Sequence, residues 1–286
     1  MYAIPNQTGA KQLSEIAMKK TVMSFFSLMI FAVAQSQVID TLIDVGGHKL
    51  HFNITKGEGT PILFESGNGD DGSVWQPILK DVYNATNATL ITYDRAGLGL
   101  SEIDTNRISF QNEIIDLEIA LRKLGVVQKL FVVCHSFGGY YTSLLTYRNN
   151  IKVTGVVAID IVTPCFFTKE WSEKFVQEIS PNIWSMIKHH RLGLYYVLSN
   201  FTATSVYMAN KFLDSKTPVT MVCAENILSM VKENEKEKWI NCCKAFGNTP
   251  KHSYVLARGA NHKVWEKDPQ LVINEIVKLY KRVLSN

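Results

Sequence analysis

The sequence has 286 residues, is 46% hydrophobic, and carries 30 basic against 26 acidic side chains for a formal charge of +4. This apolar content supports a sizeable buried core, which excludes a disordered or collagen-like chain. Lys and Arg are interspersed with Asp and Glu along the whole chain, so no nucleic-acid partner is expected.

The first segment reads as an address rather than a folded element. Lys19-Lys20 precede an apolar run from Thr21 to Ala34, and Gln35, Ser36 and Gln37 follow it. A basic start, a short apolar stretch and small residues are the parts of a secretory signal peptide. The run is shorter than the roughly 20 residues that cross a bilayer, so no stable membrane span is expected. Residues 1–36 are expected to be removed on export, periplasmic or secreted, with cuts after Ala34 or after Ser36 and starts at Met1 or Met18 all compatible. The alternative is an N-terminal helix, buried or lying on a membrane, but no cap or amphipathic face marks one.

The mature chain alternates short β-branched runs with longer amphipathic stretches, the pattern of a mostly parallel sheet joined by helices. The predicted strands are Val38–Asp44 and Lys49–Thr55 as an opening hairpin, then Pro61–Glu65, Ala88–Tyr93, Lys129–Cys134, Lys152–Asp160, Pro218–Ala224 and His252–Ala257. Continuous runs such as Leu130-Phe131-Val132-Val133 fit strands buried on both faces. Ile108–Leu124 and Pro269–Leu284 each place their apolar residues on one side, as helices that pack on the sheet do.

From Ile161 to Thr217 no strand signal appears. Trp171, Phe175, Trp184, Tyr195, Tyr196, Phe201, Tyr207 and Phe212 recur there among helix formers. Such aromatics are commonly core, yet an insertion at a strand's carboxyl end overlies the crevice where open α/β sheets bind ligands, so a helical cap over about 161–217 is expected. The charged run Lys232–Lys238 reads as a solvated helix face. The rest of 37–286 forms one α/β domain.

Five cysteines, Cys134, Cys165, Cys223, Cys242 and Cys243, are unevenly spaced and include no Cys-x-x-Cys pair. A chain of this size needs no staples, so packed thiols are expected, with a bridge from Cys165 to Cys242 or Cys243 left open. His48, His51, His189 and His190 lack a third ligand at a zinc-binding spacing and read as core or surface side chains. No metal or organic cofactor is expected.

Strand Lys129–Cys134 runs directly into His135-Ser136-Phe137-Gly138-Gly139 and a helical stretch, which sets Ser136 at a sharp strand-to-helix turn. A nucleophile on such an elbow needs little bulk two residues to either side, and the helix N-terminus favours developing negative charge. Cys134 stands where Gly is commonest.

With this motif the chain resembles the α/β-hydrolase family from about Pro61 to its C-terminus. Phe64-Glu65-Ser66-Gly67-Asn68-Gly69 resembles the family's oxyanion loop, and Tyr93-Asp94-Arg95-Ala96-Gly97-Leu98-Gly99-Leu100-Ser101 resembles its next turn. Gly259-Ala260-Asn261-His262 resembles its histidine loop. The resemblance implies an α/β fold with Ser136 as nucleophile, His262 as general base and then acid, and the backbone N–H groups of Asn68 and Phe137 as the oxyanion hole. The chemistry fits, because a serine hydroxyl is a weak nucleophile until an imidazole removes its proton. His135, inside the elbow, is expected to be structural and to point away.

The family's usual acid position falls on Ile227, so another carboxylate must serve. Asp160, at the end of its strand, is favoured because a short carboxylate on a buried strand is held firmly; Glu225 is the alternative. Asp70, Asp71 and Asp94 are expected as turn and cap residues.

Gly67-x-Gly69-x-x-Gly72 with Asp94 also fits a dinucleotide fingerprint, but Asp70 and Asp71 would face a pyrophosphate with negative charge. A non-catalytic binding protein on the same fold is the other alternative. The expected activity is that of a serine hydrolase forming an acyl-enzyme on a small-molecule substrate with a small to medium apolar acyl group. Ester, thioester, amide and N-terminal peptide bonds all stay open.

Overall fold

Strands that are apolar on both sides belong in the middle of a sheet covered on both faces. In the computed structural model, which describes residues 37–285 apart from 227 and 229, eight strands form one sheet in the order β1-β2-β4-β3-β5-β6-β7-β8. The strands are β1 (Val38–Asp44), β2 (Lys49–Thr55), β3 (Gly59–Glu65), β4 (Ala88–Tyr93), β5 (Lys129–His135), β6 (Lys152–Ile159), β7 (Val219–Ala224) and β8 (His252–Ala257). β1 and β2 form an antiparallel hairpin, β2 pairs antiparallel with β4, and every pairing from β4 to β8 is parallel. The expected strands are all present: β1, β2, β4 and β8 keep their expected bounds, and β3, β5, β6 and β7 each shift at one end by one or two residues. The segment read as a signal peptide lies outside the described residues.

Because side chains alternate across a strand, the central runs feed two cores. Leu130, Val132, Val156, Ala158 and Met221 point to one face, while Phe131, Val133, Val157, Ile159 and Val222 point to the other. The first face is covered by α2 (Phe110–Lys123) through Ile114, Leu117 and Leu121 and by α3 (Gly138–Arg148). The second is covered by α1 (Gln76–Thr86) and by α10 (Pro269–Leu284) through Val272, Ile273, Ile276 and Leu279. Burying one such side chain stabilises the fold by roughly 1.5–3 kcal/mol. Caps set the helix starts: Ser109 Oγ accepts from Asn112 N–H ahead of α2, and Asp268 accepts from Leu271 N–H ahead of α10, where Pro269 takes the first helical position.

Between β6 and β7 the chain makes four short helices, α4 (Lys169–Glu178), α5 (Pro181–His190), α6 (Leu192–Ser199) and α7 (Phe201–Met208). Their aromatics pack inward, with Trp171 stacked on Phe175 and Phe201 stacked on Phe137 of the elbow. The run Lys232–Lys238 is not one helix face: Glu233–Glu235 forms a 3₁₀ turn, and α8 (Lys236–Gly247) begins after it. Glu235 accepts from Trp171 Nε1–H and Lys232 pairs with Glu178, so this run seats α4 as well as meeting solvent. The short helix α9 (Val264–Lys267) precedes α10. Among the described residues, no helix is long and apolar enough to cross a membrane.

The cysteines are not all thiols. Cys165, in the loop after β6, is bonded to Cys242 on α8, while Cys134, Cys223 and Cys243 are free and buried. The spacing could not select this pair, because it depends on α8 lying beside the loop after β6.

Candidate active site

Ser136 occupies the elbow between β5 and α3 at φ +54°, the left-handed region that a residue bearing a Cβ adopts only at some cost. The surroundings hold it there: Ser136 N–H donates to Ile159 O at 3.1 Å, and its own carbonyl accepts from Gly139 and Val162 N–H at 3.0 and 3.2 Å. Gly138 is required by space, since a Cβ there would lie 2.7 Å from the carbonyl oxygens of both Glu65 and Ser66. Cys134 fits the remaining small position, and burial pushes its thiol pKa up to about 12, so it stays uncharged.

Asp160 follows β6 at φ +43° and is fully buried. Its N–H donates to Val222 O at 2.7 Å and its Oδ1 accepts from Ala224 N–H at 3.1 Å, so neighbouring β7 fixes the carboxylate. Oδ2 lies 2.7 Å from His262 Nδ1. With Nδ1 as donor to this carboxylate, His262 Nε2 is left as an acceptor. Glu225, the alternative acid, is turned to the backbone instead, where it accepts from Gly259 N–H at 2.7 Å. Asn226 completes that support through Ala260 O and Asn261 Oδ1, both at 3.0 Å. Position 227, the family's usual acid site, lies outside the described residues.

His135 does not point away. Its ring lies 4.3 Å from that of His262, and its Nε2–H donates to the His262 carbonyl at 3.1 Å. Burial, with the charge of His262 added, holds the His135 pKa well below its ordinary value, so this neighbour remains neutral.

The loop expected to supply oxyanion donors is held by charged side chains. Arg95, buried against the Tyr141 ring, donates to Glu65 Oε1 at 2.6 Å and to the carbonyls of Ser66 and Gly67. Asp70 closes a turn, as expected, with its N–H donating to Gly67 O at 3.3 Å, and its side chain also pairs with Lys263 at 2.9 Å, joining this loop to the histidine loop. Gly67 lets the loop lie against the elbow, because a Cβ there would meet His135 Nδ1 at 2.7 Å and Ser136 Cβ at 3.2 Å. Asp71 caps the 3₁₀ turn Gly72–Trp75, as expected. Asp94 accepts from Gly72 N–H, Leu100 N–H and His51, so its oxygens are engaged and the dinucleotide reading loses its ribose ligand.

Gly67, Asn68, Ser136, Phe137 and His262 all open onto one cavity of about 350 Å³. Val162, Phe167, Phe175, Leu194, Leu198, Phe201, Leu228 and Met230 form its apolar walls, most of them from the segment between β6 and β7. The site therefore has one polar end and one apolar end. Lys263 and the carbonyl contacts of Arg95 escaped the sequence reading. Lys263 directly follows His262, a signal only of position, and the contacts of Arg95 leave no local trace.

Residues 60–180 match the sequence model of a family described as alpha/beta hydrolase fold. The uncharacterized protein YqjL of Bacillus subtilis (strain 168) is 30% identical over 117 residues, which span 41% of this chain and 46% of that relative, so the match covers less than half of its length. A loop variant of the haloalkane dehalogenase DbeA from Bradyrhizobium elkanii superposes with a TM-score of 0.67 at 13% identity, covering 87% of this chain and 98% of that one. A thermophilic esterase from Thermogutta terrifontis superposes with a TM-score of 0.56 at 18% identity, covering 87% and 99%. With the sheet order above, these matches give the chain the α/β-hydrolase fold.

Proposed function

From the α/β-hydrolase fold as premise, we propose that this protein is a serine hydrolase cleaving an ester or related acyl bond through an acyl-enzyme. The observation that carries the reading is the left-handed elbow at Ser136 opening onto the same cavity as His262, whose Nδ1 is held by buried Asp160. His262 Nε2 takes the Ser136 hydroxyl proton as Oγ attacks the acyl carbonyl. The N–H groups of Asn68 and Phe137 receive the oxyanion, and neither donates to a protein acceptor among the described residues. Collapse expels the leaving group, which takes the proton from His262. A water activated by the same imidazole then cleaves the acyl-enzyme.

The nucleophile's chemistry separates this reading from haloalkane or epoxide opening. A carboxylate that displaces a leaving group at an sp³ carbon forms an ester, whose carbonyl water can attack. Serine doing the same would form an ether, which has no carbonyl and does not turn over. An acyl carbonyl is the partner with which Ser136 completes a cycle.

Helices α4–α7 act as a cap whose aromatic and aliphatic side chains hold a small to medium apolar acyl group, in keeping with a cavity of about 350 Å³. Export to an oxidising compartment is the companion reading, supported by the Cys165–Cys242 disulfide and by the signal-like sequence of residues 1–36. The test is fluorophosphonate labelling of the purified protein with mass-spectrometric location of the adduct. A stoichiometric adduct on Ser136, absent in Ser136→Ala and His262→Ala, is expected. No adduct on folded protein would overturn the reading and favour a binding protein.

A further inference from the structure

The serine-hydrolase reading requires the Asn68 N–H to keep one direction, and the carbonyls on both sides of Asn68 are held by arginines. A trans peptide is rigid and planar, so the Gly67 carbonyl and the Asn68 N–H point in opposite directions from one plane. Arg95 takes that carbonyl from the core, which aims the N–H away from the guanidinium. Two peptides further on, the Gly69 carbonyl is taken by Arg191 Nη2. Arg191 lies between α5 and α6, within the segment that forms the apolar cavity walls.

The fit of this second contact is tight. A Cβ on Gly69, which has φ +77°, would lie 3.0 Å from Arg191 Nη2 and 3.4 Å from its Cζ, so the guanidinium rests directly on the glycine. Two residues on, Gly193 N–H donates to Gly97 O at 3.3 Å, and a Cβ on Gly193 would fall 2.5 Å from Ala96 O. The segment 191–193 thus sits on two core loops at once. Leu194, directly after it, lines the cavity. Arg191 itself is exposed over much of its surface, unlike buried Arg95.

We propose that Arg191 is a positioning residue for the oxyanion hole: it locks from the cap the loop that Arg95 sets from the core, and so holds the Asn68 N–H where negative charge develops. The cap then serves the chemical step as well as the apolar group. The inference rests on the serine-hydrolase reading, and phosphonylation tests both because it also places a developing negative oxygen in the hole.

The experiment compares the parent, Arg191→Met and Arg191→Lys by the fluorophosphonate labelling rate at Ser136, by kcat and KM for p-nitrophenyl butyrate, and by the thermal midpoint. Loss of an oxyanion donor lowers kcat by about 10²–10³, so a loosened donor is expected to lower kcat and the labelling rate by about tenfold in Arg191→Met. KM should stay within about twofold, the thermal midpoint should be unchanged, and Arg191→Lys, which keeps a donor, should recover part of the rate. Parent-like rates in Arg191→Met, a rise in KM alone, or a loss that follows the thermal midpoint would each overturn the inference. An unlabelled parent would instead sink the serine-hydrolase reading, and the positioning role with it.

Discussion

Asp160 Oδ2 and His262 Nδ1 lie 2.7 Å apart across 102 residues of chain, while Glu225 bonds the backbone three residues before that histidine. The two carboxylates therefore separate cleanly on mutation. Asp160→Asn is expected to lower kcat by about 10⁴, because the orienting acceptor is lost and the wrong imidazole tautomer is favoured. Glu225→Gln removes one charge-assisted contact to Gly259 and should cost about 1.5–3 kcal/mol of local support at most, with kcat falling far less. Steady-state kinetics on an activated ester checks both; equal small losses would remove Asp160 from the role.

The elbow makes a steric prediction. Gly138→Ala would press its methyl onto the carbonyls of Glu65 and Ser66 at 2.7 Å. Relief requires the oxyanion loop to shift, so stability should fall by about 1–3 kcal/mol and ester hydrolysis should fall with it. Urea unfolding and kcat measured together decide the point. A stable, fully active Gly138→Ala would show that the contact yields freely.

The disulfide spans 77 residues and ties the loop carrying Asp160 and Val162 to α8. Removing it as Cys165→Ala/Cys242→Ala should lower the unfolding free energy by about 2–5 kcal/mol. Reductant should produce a similar loss in the parent and none in the double variant. Cys243→Ala, which changes a buried free thiol, should leave the response to reductant intact.

His51 supplies a pH dependence away from the site. Burial opposes its charge, but hydrogen bonds to Asp94 at 2.9 Å and Asp40 at 3.1 Å outweigh that and raise its pKa above the ordinary value. A raised native pKa means that the charged ring stabilises the fold fully below about pH 6.5, the unfolded value, and that this is lost as pH rises through the native one. The stability gap between parent and His51→Gln, read from urea unfolding, should be wider near pH 6 than near pH 9. A gap that does not narrow with rising pH would contradict the raised value.

Local signals in the sequence sufficed for the elements and for two residues of the candidate site. Alternating or continuous apolar runs mark strands because side chains point to opposite faces of a strand, a property of the backbone alone. Ser136 and His262 were legible because each lies in a short motif whose neighbours share its loop. What only the tertiary structure decided were pairings between distant segments. Asp160 was separated from Glu225 because β6 lies beside β7, so that Ala224 N–H fixes one oxygen of Asp160 and leaves the other for His262. Cys165 found Cys242, Asp70 found Lys263 and Arg191 found the Gly69 carbonyl in the same way. Periodicity is set by adjacent residues, whereas such contacts arise only when the buried sheet and its helices bring remote loops together, and no spacing along the chain encodes that distance.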